Sequence, residues 1–250
     1  YQLHRGSSDT LVVMDVGARR LALYAPDGTL VRHHRLDLTW ARGLVPGYWV
    51  SFSRIIPNGF GVATAVPRSG LPTPGARRRQ RRGVILLGPR PREGRLLGWY
   101  LGLEQFYRDE TNGRFAFFAA NTHVASGGDP TLVYIGDSGG EDIHVFDLSG
   151  RLVRIIRDLA PPSAITDRDI EWERWEVLDW GKASGQLERL QRLVDEMPIP
   201  ERKPRFEDLI VDSRGFLWSK EYTSYKPDHA EYRIYDPRGR RVGVVWLPGR

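Results

Sequence analysis

The chain has 250 residues, of which 40% are hydrophobic and 27% are charged, a balance typical of a globular protein with a hydrophobic core. It contains no cysteine, which excludes disulfide bonds, thiolate nucleophiles and cysteine-ligated zinc. No apolar run reaches the roughly 20 residues that a membrane-spanning helix needs. The formal net charge of +6 equals the charge of one segment, residues 67–82, which holds six arginines and no acid.

A three-strand pattern opens the chain. Residues 10–34, TLVVMDVGARRLALYAPDGTLVRHH, contain an apolar run, a turn, an alternating run, a second turn at Gly28 and a last run. Alternation with a period of two indicates strands, and glycine suits the tight turn between them. The pattern predicts a four-stranded antiparallel unit in residues 1–43 that lacks its inner strand.

Residues 44–104 contain a less regular copy of this unit. SFSRIIPNGFGVATAV predicts an inner hairpin, and GVILLGPRPREGRLLGWYLG predicts an outer one. The arginine-rich segment, residues 67–82, lies between the two hairpins. Clustered arginines can neutralise nucleic-acid phosphates, but the segment has no aromatic residues for base stacking and is rich in Pro and Gly. These features disfavour nucleic acid as a partner and predict a solvated, mobile loop.

Two more copies are predicted in residues 105–160 and 205–250. In the first of these, RFAFFAANTH (residues 114–123) is small and apolar, as an inner strand should be. It is followed by TLVYIGDSGGEDIHVFDLSGRLVRII, which aligns with residues 10–34 and turns at Gly150. The C-terminal copy consists of FEDLIVDSRGFLWSKEY and YRIYDPRGRRVGVV, which turns at Gly239. The chain therefore contains four related units of antiparallel strands.

Aspartates recur at the same place in these copies. Asp15, Asp137 and Asp212 each end an apolar run before a turn, where a carboxylate can accept backbone N–H groups. Repetition favours this structural role. Residues 136–140, GDSGG, resemble a serine-protease signature, but no His and Asp constellation accompanies them and they fall at a turn.

Residues 161–204 interrupt the strand pattern and predict a helical insertion near residues 165–198. Thr166 and Asp169 form a capping-box pattern, and Pro198 closes the second helix. Apolar residues recur there at helical spacing, namely Leu187, Leu190, Leu193, Val194 and Met197. We interpret the insertion as a packing element over the sheets, with a lid or docking helix pair as the alternative.

Repeated four-stranded antiparallel units favour an all-β fold of the β-propeller class. Radial stacking of such units buries both apolar faces of each one. Repeat lengths of about 40 to 60 residues agree with this architecture. A β-sandwich is the alternative, but it requires no self-similarity among its hairpins.

The repeats also resemble a known family. VFDLSGRLVR (residues 145–154), LIVDSRGFLW (209–218) and YDPRGRRVGVV (235–245) resemble blades of bacterial six-bladed β-propeller proteins of the NHL-like and TolB-like kind. The resemblance covers nearly the whole chain and implies a single propeller domain in the periplasm or outside the cell. Only four blades can be counted, so we expect an incomplete copy of the six-bladed ring, with a four-bladed ring as the alternative.

Ligands of propellers usually bind at the mouth of the central channel, where the inner strands converge. The ends of the predicted inner strands place six polar residues there: Arg54, Asn58, Asn121, His123, Glu207 and Asp208. Nothing in the sequence specifies a reaction. We therefore predict a non-enzymatic binding or interaction scaffold for a protein or small-molecule ligand whose identity the sequence does not give.

A lactonase-like hydrolase or lyase with a channel metal is the alternative function, suggested by related propellers. Of the six histidines only His123 falls near the channel, so a three-histidine zinc site is not expected. A calcium site that uses Asn121, Glu207 or Asp208 stays open, because carboxylate and amide oxygens suit that ion. We predict no catalytic residue, no metal ligand and no cofactor.

Overall fold

The computed structural model describes residues 2–5, 10–15, 20–35, 37–56, 61–67, 74–90, 92–109, 113–158, 160–224 and 228–248. These residues form four four-stranded antiparallel sheets, one three-stranded sheet and two α-helices. The first sheet has the strand order β1 (Gln2–Arg5), β2 (Leu11–Asp15), β3 (Arg20–Tyr24) and β4 (Leu30–Arg35).

A short 3₁₀ helix (Thr39–Gly43) leads to the second sheet, which is formed by β5 (Tyr48–Ile55), β6 (Gly61–Pro67), β8 (Arg81–Leu87) and β9 (Gly94–Leu101). Between β6 and β8 the chain forms β7 (Ala76–Arg78), which pairs with β10 (Gln105–Tyr107). With β11 (Gly113–Phe115) on the other side of β10, these strands make the three-stranded accessory sheet.

The remaining two sheets flank the helices in sequence. The third sheet contains β12 (Thr122–Gly127), β13 (Leu132–Asp137), β14 (Asp142–Asp147) and β15 (Leu152–Arg157). The helices are α1 (Asp167–Ser184) and α2 (Leu187–Glu196). The fourth sheet contains β16 (Asp208–Val211), β17 (Leu217–Lys220), β18 (His229–Tyr235) and β19 (Arg241–Pro248).

The second, third and fourth sheets pack face to face in order, as blades of a propeller do. The second and third sheets share a buried cluster that includes Val62, Val84 and Ile135. The third and fourth sheets share another, in which Tyr134 lies with Leu209. The innermost strands are neighbours, with β1 beside β5 and β12 beside β16. This arrangement confirms the all-β, propeller-type fold.

The three outer hairpins are confirmed at Gly28, Gly150 and Gly239. These glycines have φ of +83°, +79° and +82°, a conformation that costs a residue with a Cβ about 1–2 kcal/mol. The Oδ1 atoms of Asp147 and Asp236 each accept two backbone N–H bonds of their turns. In all three hairpins a register shift sits beside the turn. The repeated sequence therefore encodes one repeated hairpin geometry.

The three recurring aspartates, which were predicted to form turns, have different partners in the structure. Asp212 Oδ1 accepts the backbone N–H groups of residues 214 and 216, at 2.9 Å each, which confirms the turn-forming role. Asp137 accepts the N–H of Gly139 but also forms an ion pair with Arg79. Asp15 forms an ion pair with Arg20. The turn-forming role is therefore confirmed for Asp212 and in part for Asp137, while the turn that follows Asp15 lies outside the described residues.

Two predictions about inner strands were wrong. The first sheet has its inner strand, because Gln2–Arg5 pairs with β2; a four-residue run with a single aliphatic side chain carries no detectable apolar pattern. In residues 114–123 the chain leaves β11 at Phe115, and the inner strand starts only at Thr122. The apolar run between them includes Phe117 and Phe118, which are buried against the helices. Its hydrophobicity therefore reflects contact with the helical insertion.

The prediction of a loop was wrong for residues 76–78 and 81–82, which form strands, although Arg78 and Arg81 are exposed to solvent as predicted. Arg77 donates to Glu104 through two nitrogens, at 2.7 and 3.2 Å, and to the backbone carbonyl of Pro198 at 3.0 Å. Arg79 forms a two-point ion pair with Asp137. Guanidinium groups with several donors can thus cross-link distant parts of the fold. Residues 68–73 lie outside the described residues.

The helical insertion forms the predicted capping box. Asp169 N–H donates to Thr166 Oγ1 at 3.3 Å, and Thr166 N–H donates to Asp169 Oδ2 at 2.9 Å. Lys203 Nζ donates to the other carboxylate oxygen of Asp169 at 2.6 Å. Leu193 and its apolar neighbours in the helices pack against Phe106 of the accessory sheet, which confirms the packing interpretation. Of the helices in the described part of the chain, none is both long and apolar enough to cross a membrane.

Candidate functional site: the channel cavity

A polar cavity lies where the inner strands of three consecutive sheets approach each other. Its volume is about 260 Å³. We call it the channel cavity. Strands β5, β12 and β16 contribute to its wall, and the third strand of the second sheet, β8, contributes two side chains. The lining residues are Ser53, Arg54, Thr64, Arg82, Val84, Asn121, Thr122, His123, Val124 and Asp208.

The structure brings together four of the six residues predicted from the sequence: Arg54, Asn121, His123 and Asp208. Glu207 does not line this cavity. Its carboxylate forms an ion pair with Lys220 and accepts the backbone N–H of Thr223 at 3.2 Å. Asn58 lies outside the described residues. Four of the predicted residues therefore share one cavity, whereas Glu207 has other partners.

Sequence reasoning missed Arg82. It was assigned to the arginine-rich loop, whereas the structure makes it the second residue of β8. A signal was present, because Arg82 stands two residues before Val84 and alternate residues of a strand face the same side. Val84 also lines the cavity. Extending the alternation of GVILL backwards would have placed Arg82 on that face.

Asn121 is held by its backbone. Its N–H donates to Ser138 Oγ, and its carbonyl accepts the N–H of Ser138, both at 2.9 Å. The next residue, Thr122, donates its hydroxyl to the carbonyl of Leu101 at 2.6 Å. These bonds tie the start of β12 to the β13–β14 turn and to the end of β9. The Oδ1 atom of Asn121 is buried and has no hydrogen-bond partner in the described part of the chain.

His123 is neutral at neutral pH. Burial lowers the pKa of its imidazole, and the positive charge of Arg54 acts in the same direction, while Asp208 and other carboxylates oppose the shift. The ring lies edge-on to Phe206, with 5.5 Å between the ring centroids. A neutral imidazole offers one donor and one acceptor. It adds no charge to the cavity.

Arg82 is half-buried and differs from Arg77 and Arg79 in its partners. Burial lowers the pKa of its guanidinium, which nonetheless remains charged at neutral pH. Its Nε atom is buried without a hydrogen-bond partner, and its side chain pairs with no carboxylate among the residues the structure describes. The backbone at Gly102 lies against it, since a Cβ there would be 3.4 Å from Nε.

The cavity therefore combines two arginines, one carboxylate, one neutral imidazole and one amide. Asp208 accepts the N–H of Leu209 at 2.8 Å, which leaves its second oxygen for other contacts. Within the described ranges no group of three His, Asp or Glu side chains is arranged to hold a metal ion. The lining therefore presents positive charge, negative charge and neutral hydrogen-bonding groups to one space.

Stacked four-stranded sheets around this cavity define an all-β protein of the propeller type with an accessory helical layer. The chain is similar to solved structures of three proteins. A DUF4221 family member from Bacteroides vulgatus is 10% identical, with a TM-score of 0.44 over 98% of this chain and 66% of that one. A gluconolactonase from Xanthomonas campestris is 17% identical, with a TM-score of 0.42 over 99% and 62%.

A calcium-binding protein, regucalcin, from Agrobacterium tumefaciens is 12% identical, with a TM-score of 0.36 over 97% of this chain and 58% of that one. The chain thus spans about three fifths of the length of these proteins. No protein-family model matches the chain, and no curated protein matches it.

Proposed function

We propose that the chain is a non-enzymatic binding propeller that holds a small polar ligand in the channel cavity. The observation that carries this proposal is the convergence of Arg54, Asn121, His123 and Asp208, from three different inner strands, on one cavity. Its volume of about 260 Å³ is below the roughly 300–1,000 Å³ typical of drug-sized sites. A metabolite-sized ligand fits this space.

Preorganisation supports a binding role. Both backbone hydrogen bonds of Asn121 are made before any ligand arrives, and Thr122 anchors the same segment to Leu101. A site whose walls are already ordered loses little conformational entropy when it binds. The polar side chains of the cavity are therefore presented on a rigid frame.

The alternative, a hydrolase or lyase with a channel metal, finds less support. Calcium usually takes six to eight oxygen ligands. Asn121 and Asp208 could offer oxygens, but Glu207 is engaged by Lys220 and Thr223. A binding role needs none of these additional ligands.

The test is a thermal-shift and calorimetric screen with small sugars, amino acids, hydroxy acids and carboxylic acids. Asn121→Leu removes the amide from the cavity, and His33→Ala changes an exposed side chain on β4 as a matched control. We expect at least one compound to raise the unfolding midpoint of the wild type and of His33→Ala. Its affinity should fall at least tenfold in Asn121→Leu.

Two results would overturn the proposal. The first is a set of ligands whose affinities do not respond to Asn121→Leu. The second is turnover of a lactone or ester, together with a stoichiometric metal in the purified protein, which would establish the enzymatic alternative.

The proposal extends to a single domain of a six-bladed, NHL-like or TolB-like ring located in the periplasm or outside the cell. Its support is the sequence resemblance of the blades. Fractionation of cells that produce the native protein, with antibody detection, tests the location. Recovery of the protein in the cytosolic fraction alone would contradict it.

A further inference from the structure

We infer that a cavity between the first and second sheets binds an amphipathic organic anion, a molecule with an apolar body and an anionic head group. The cavity has a volume of about 640 Å³, inside the roughly 300–1,000 Å³ typical of small-molecule sites. We call it the interblade cavity. Among the described residues it shares no lining residue with the channel cavity, so it is a second site and does not depend on the proposed function.

One wall of the interblade cavity is apolar and ordered. Leu87 belongs to the buried core of the second sheet, and Leu38 and Trp40 pack against that core. A Cβ at Gly94 would lie 2.7 Å from Cη2 of Trp40, so a larger residue there would displace the indole ring. Because this wall is held in place without a ligand, binding against it costs little conformational entropy.

The opposite wall consists of apolar side chains of the first sheet that are only partly covered. Leu21 and Leu23 line the cavity and are half-buried. Counted back from the glycine of the outer hairpin, they occupy the places of Ile143 and Val145 in the third sheet, which are 3% and 0% exposed beneath the fourth sheet. The same face of the repeat is thus closed by a neighbouring sheet in one place and borders a cavity in the other. The apolar body of a ligand would cover Leu21 and Leu23 as the fourth sheet covers their counterparts.

The charged residues of the lining are mostly arginines. Four of them are exposed and therefore lie at the open side of the cavity: Arg32, Arg35, Arg90 and Arg92. In the part of the chain that the structure describes, none of the four forms an ion pair with a carboxylate. Their charges are therefore available to a ligand.

The two acids of the lining have hydrogen-bond partners of their own. Asp37 accepts the backbone N–H of Thr39 at 2.9 Å and its hydroxyl at 2.6 Å, and Glu93 Oε2 accepts the backbone N–H of Arg90 at 3.3 Å. The hydrogen bonds from Thr39 lower the pKa of Asp37, and two arginines of the lining lower it further. Four positive and two negative charges leave the described lining with an excess of positive charge. A cleft with such an excess attracts anions and disfavours cations.

The apolar walls and the positively charged opening together specify the ligand. A neutral hydrocarbon would leave the positive charges without a counter-ion. A small hydrophilic anion would leave Leu21 and Leu23 in contact with water. A molecule with an apolar body and an anionic head meets both conditions, as a medium-chain carboxylate does.

The test compares four probes on the purified wild-type chain, below their micelle concentrations, by calorimetry and ligand-observed NMR. Octanoate, octan-1-ol and octylammonium have the same number of carbons and differ in head-group charge, while butyrate has the head of octanoate on a shorter chain. We expect octanoate to bind at least about tenfold more tightly than butyrate, because its longer chain covers more apolar surface. It should bind at least about fivefold more tightly than octan-1-ol, with octylammonium weakest of the three, and added salt should shrink this advantage.

Charge-removing variants assign the head-group preference to the cavity. Arg90→Gln/Arg92→Gln removes the excess of positive charge, so the advantage of octanoate over octan-1-ol should fall to within about twofold. Arg78→Gln/Arg238→Gln removes the same charge from two exposed arginines that do not line the cavity. This matched control should keep the advantage.

A second pair of variants tests the apolar wall. Leu23→Thr shortens a lining side chain and makes it polar, so the advantage of octanoate over butyrate should shrink at least about threefold. Leu30→Thr makes the same change at an exposed leucine of the same sheet that does not line the interblade cavity, and it should leave that advantage unchanged.

The wild type alone can overturn the inference: octanoate that does not bind, or binds no better than octan-1-ol or butyrate, contradicts it without any variant that must fold. Asn121→Leu changes the channel cavity and should leave the affinity for octanoate unchanged. If octanoate binding were lost in Asn121→Leu but kept in Arg90→Gln/Arg92→Gln, the ligand would belong to the channel cavity and the inference would be wrong, while the binding propeller would stand.

Discussion

Arg79→Met is expected to destabilise the protein by removing a cross-link between the arginine-rich segment and the third sheet. Arg79 donates to Asp137 Oδ1 at 2.6 Å and to Oδ2 at 3.0 Å. It also donates to the carbonyls of Leu101 and Gly102, at 2.8 and 2.9 Å. Methionine keeps much of the aliphatic volume, so the change isolates the polar contacts.

The magnitude follows from the burial of the pair. The side chains of Arg79 and Asp137 are 12% and 22% exposed, so removing the arginine leaves a largely buried carboxylate without its counter-ion. Such losses typically cost about 3–5 kcal/mol. Asp137 keeps one hydrogen bond, from Gly139 N–H at 2.9 Å, which places the expected loss at the lower end, about 3 kcal/mol. For a chain of this length that corresponds to about 6–12 °C in Tm.

The assay is urea denaturation followed by circular dichroism, supported by calorimetry. Arg78→Met is the control, since that side chain is exposed, and it should change stability by less than about 0.5 kcal/mol. Asp137→Asn completes a double-mutant cycle, in which we expect a coupling of at least about 1.5 kcal/mol. The cross-linking role would be refuted if the effects of Arg79→Met and Asp137→Asn on the free energy of unfolding were additive. It would also be refuted if Arg79→Met lost no more stability than Arg78→Met.

Three further predictions concern stability. Gly239→Ala should cost at least about 1 kcal/mol more than Gly28→Ala in urea denaturation: both have φ near +80°, but only at Gly239 would a Cβ come within 2.9 Å of buried Ile156. Burial opposes ionisation of Asp169, but hydrogen bonds from its lysine and threonine partners lower its pKa to about 2. Above about pH 4 this carboxylate contributes up to about 2 kcal/mol to the free energy of unfolding of the wild type, and the contribution is lost towards pH 2. Asp169→Asn should remove this contribution, as acid unfolding curves would show. Burial and a neighbouring carboxylate raise the pKa of Glu173 to about 7, so wild-type stability should fall between pH 4.5 and pH 7, and Glu173→Gln should abolish this fall and stabilise the protein at pH 8.

Each of these has a clear contrary result. Equal losses for the two glycine variants would remove the steric argument at the outer hairpin. An acid transition of Asp169→Asn with the wild-type slope would show that the helix cap does not depend on the charged carboxylate. A stability curve of Glu173→Gln parallel to that of the wild type up to pH 8 would mean that this carboxyl titrates normally.

Local signals in the sequence predicted the outer hairpins and the start of the helical insertion. The outer hairpins at Gly28, Gly150 and Gly239 combine strand alternation with a positive φ that glycine adopts readily, and all three are confirmed. The capping box of α1 needs only residues three apart, Thr166 and Asp169, and it is also confirmed. Such features depend on neighbours along the chain, so a single sequence reveals them.

The tertiary structure alone decided which polar residues meet. Arg79 pairs with Asp137, 58 residues away, and Arg77 reaches the carbonyl of Pro198, 121 residues away. Composition suggested a solvated loop, because nothing near these arginines in sequence marks their partners. In the same way, only packing of the sheets brought Arg82 and Asn121 to the lining of one cavity. Contacts between residues so far apart depend on how the sheets stack, which no local pattern specifies.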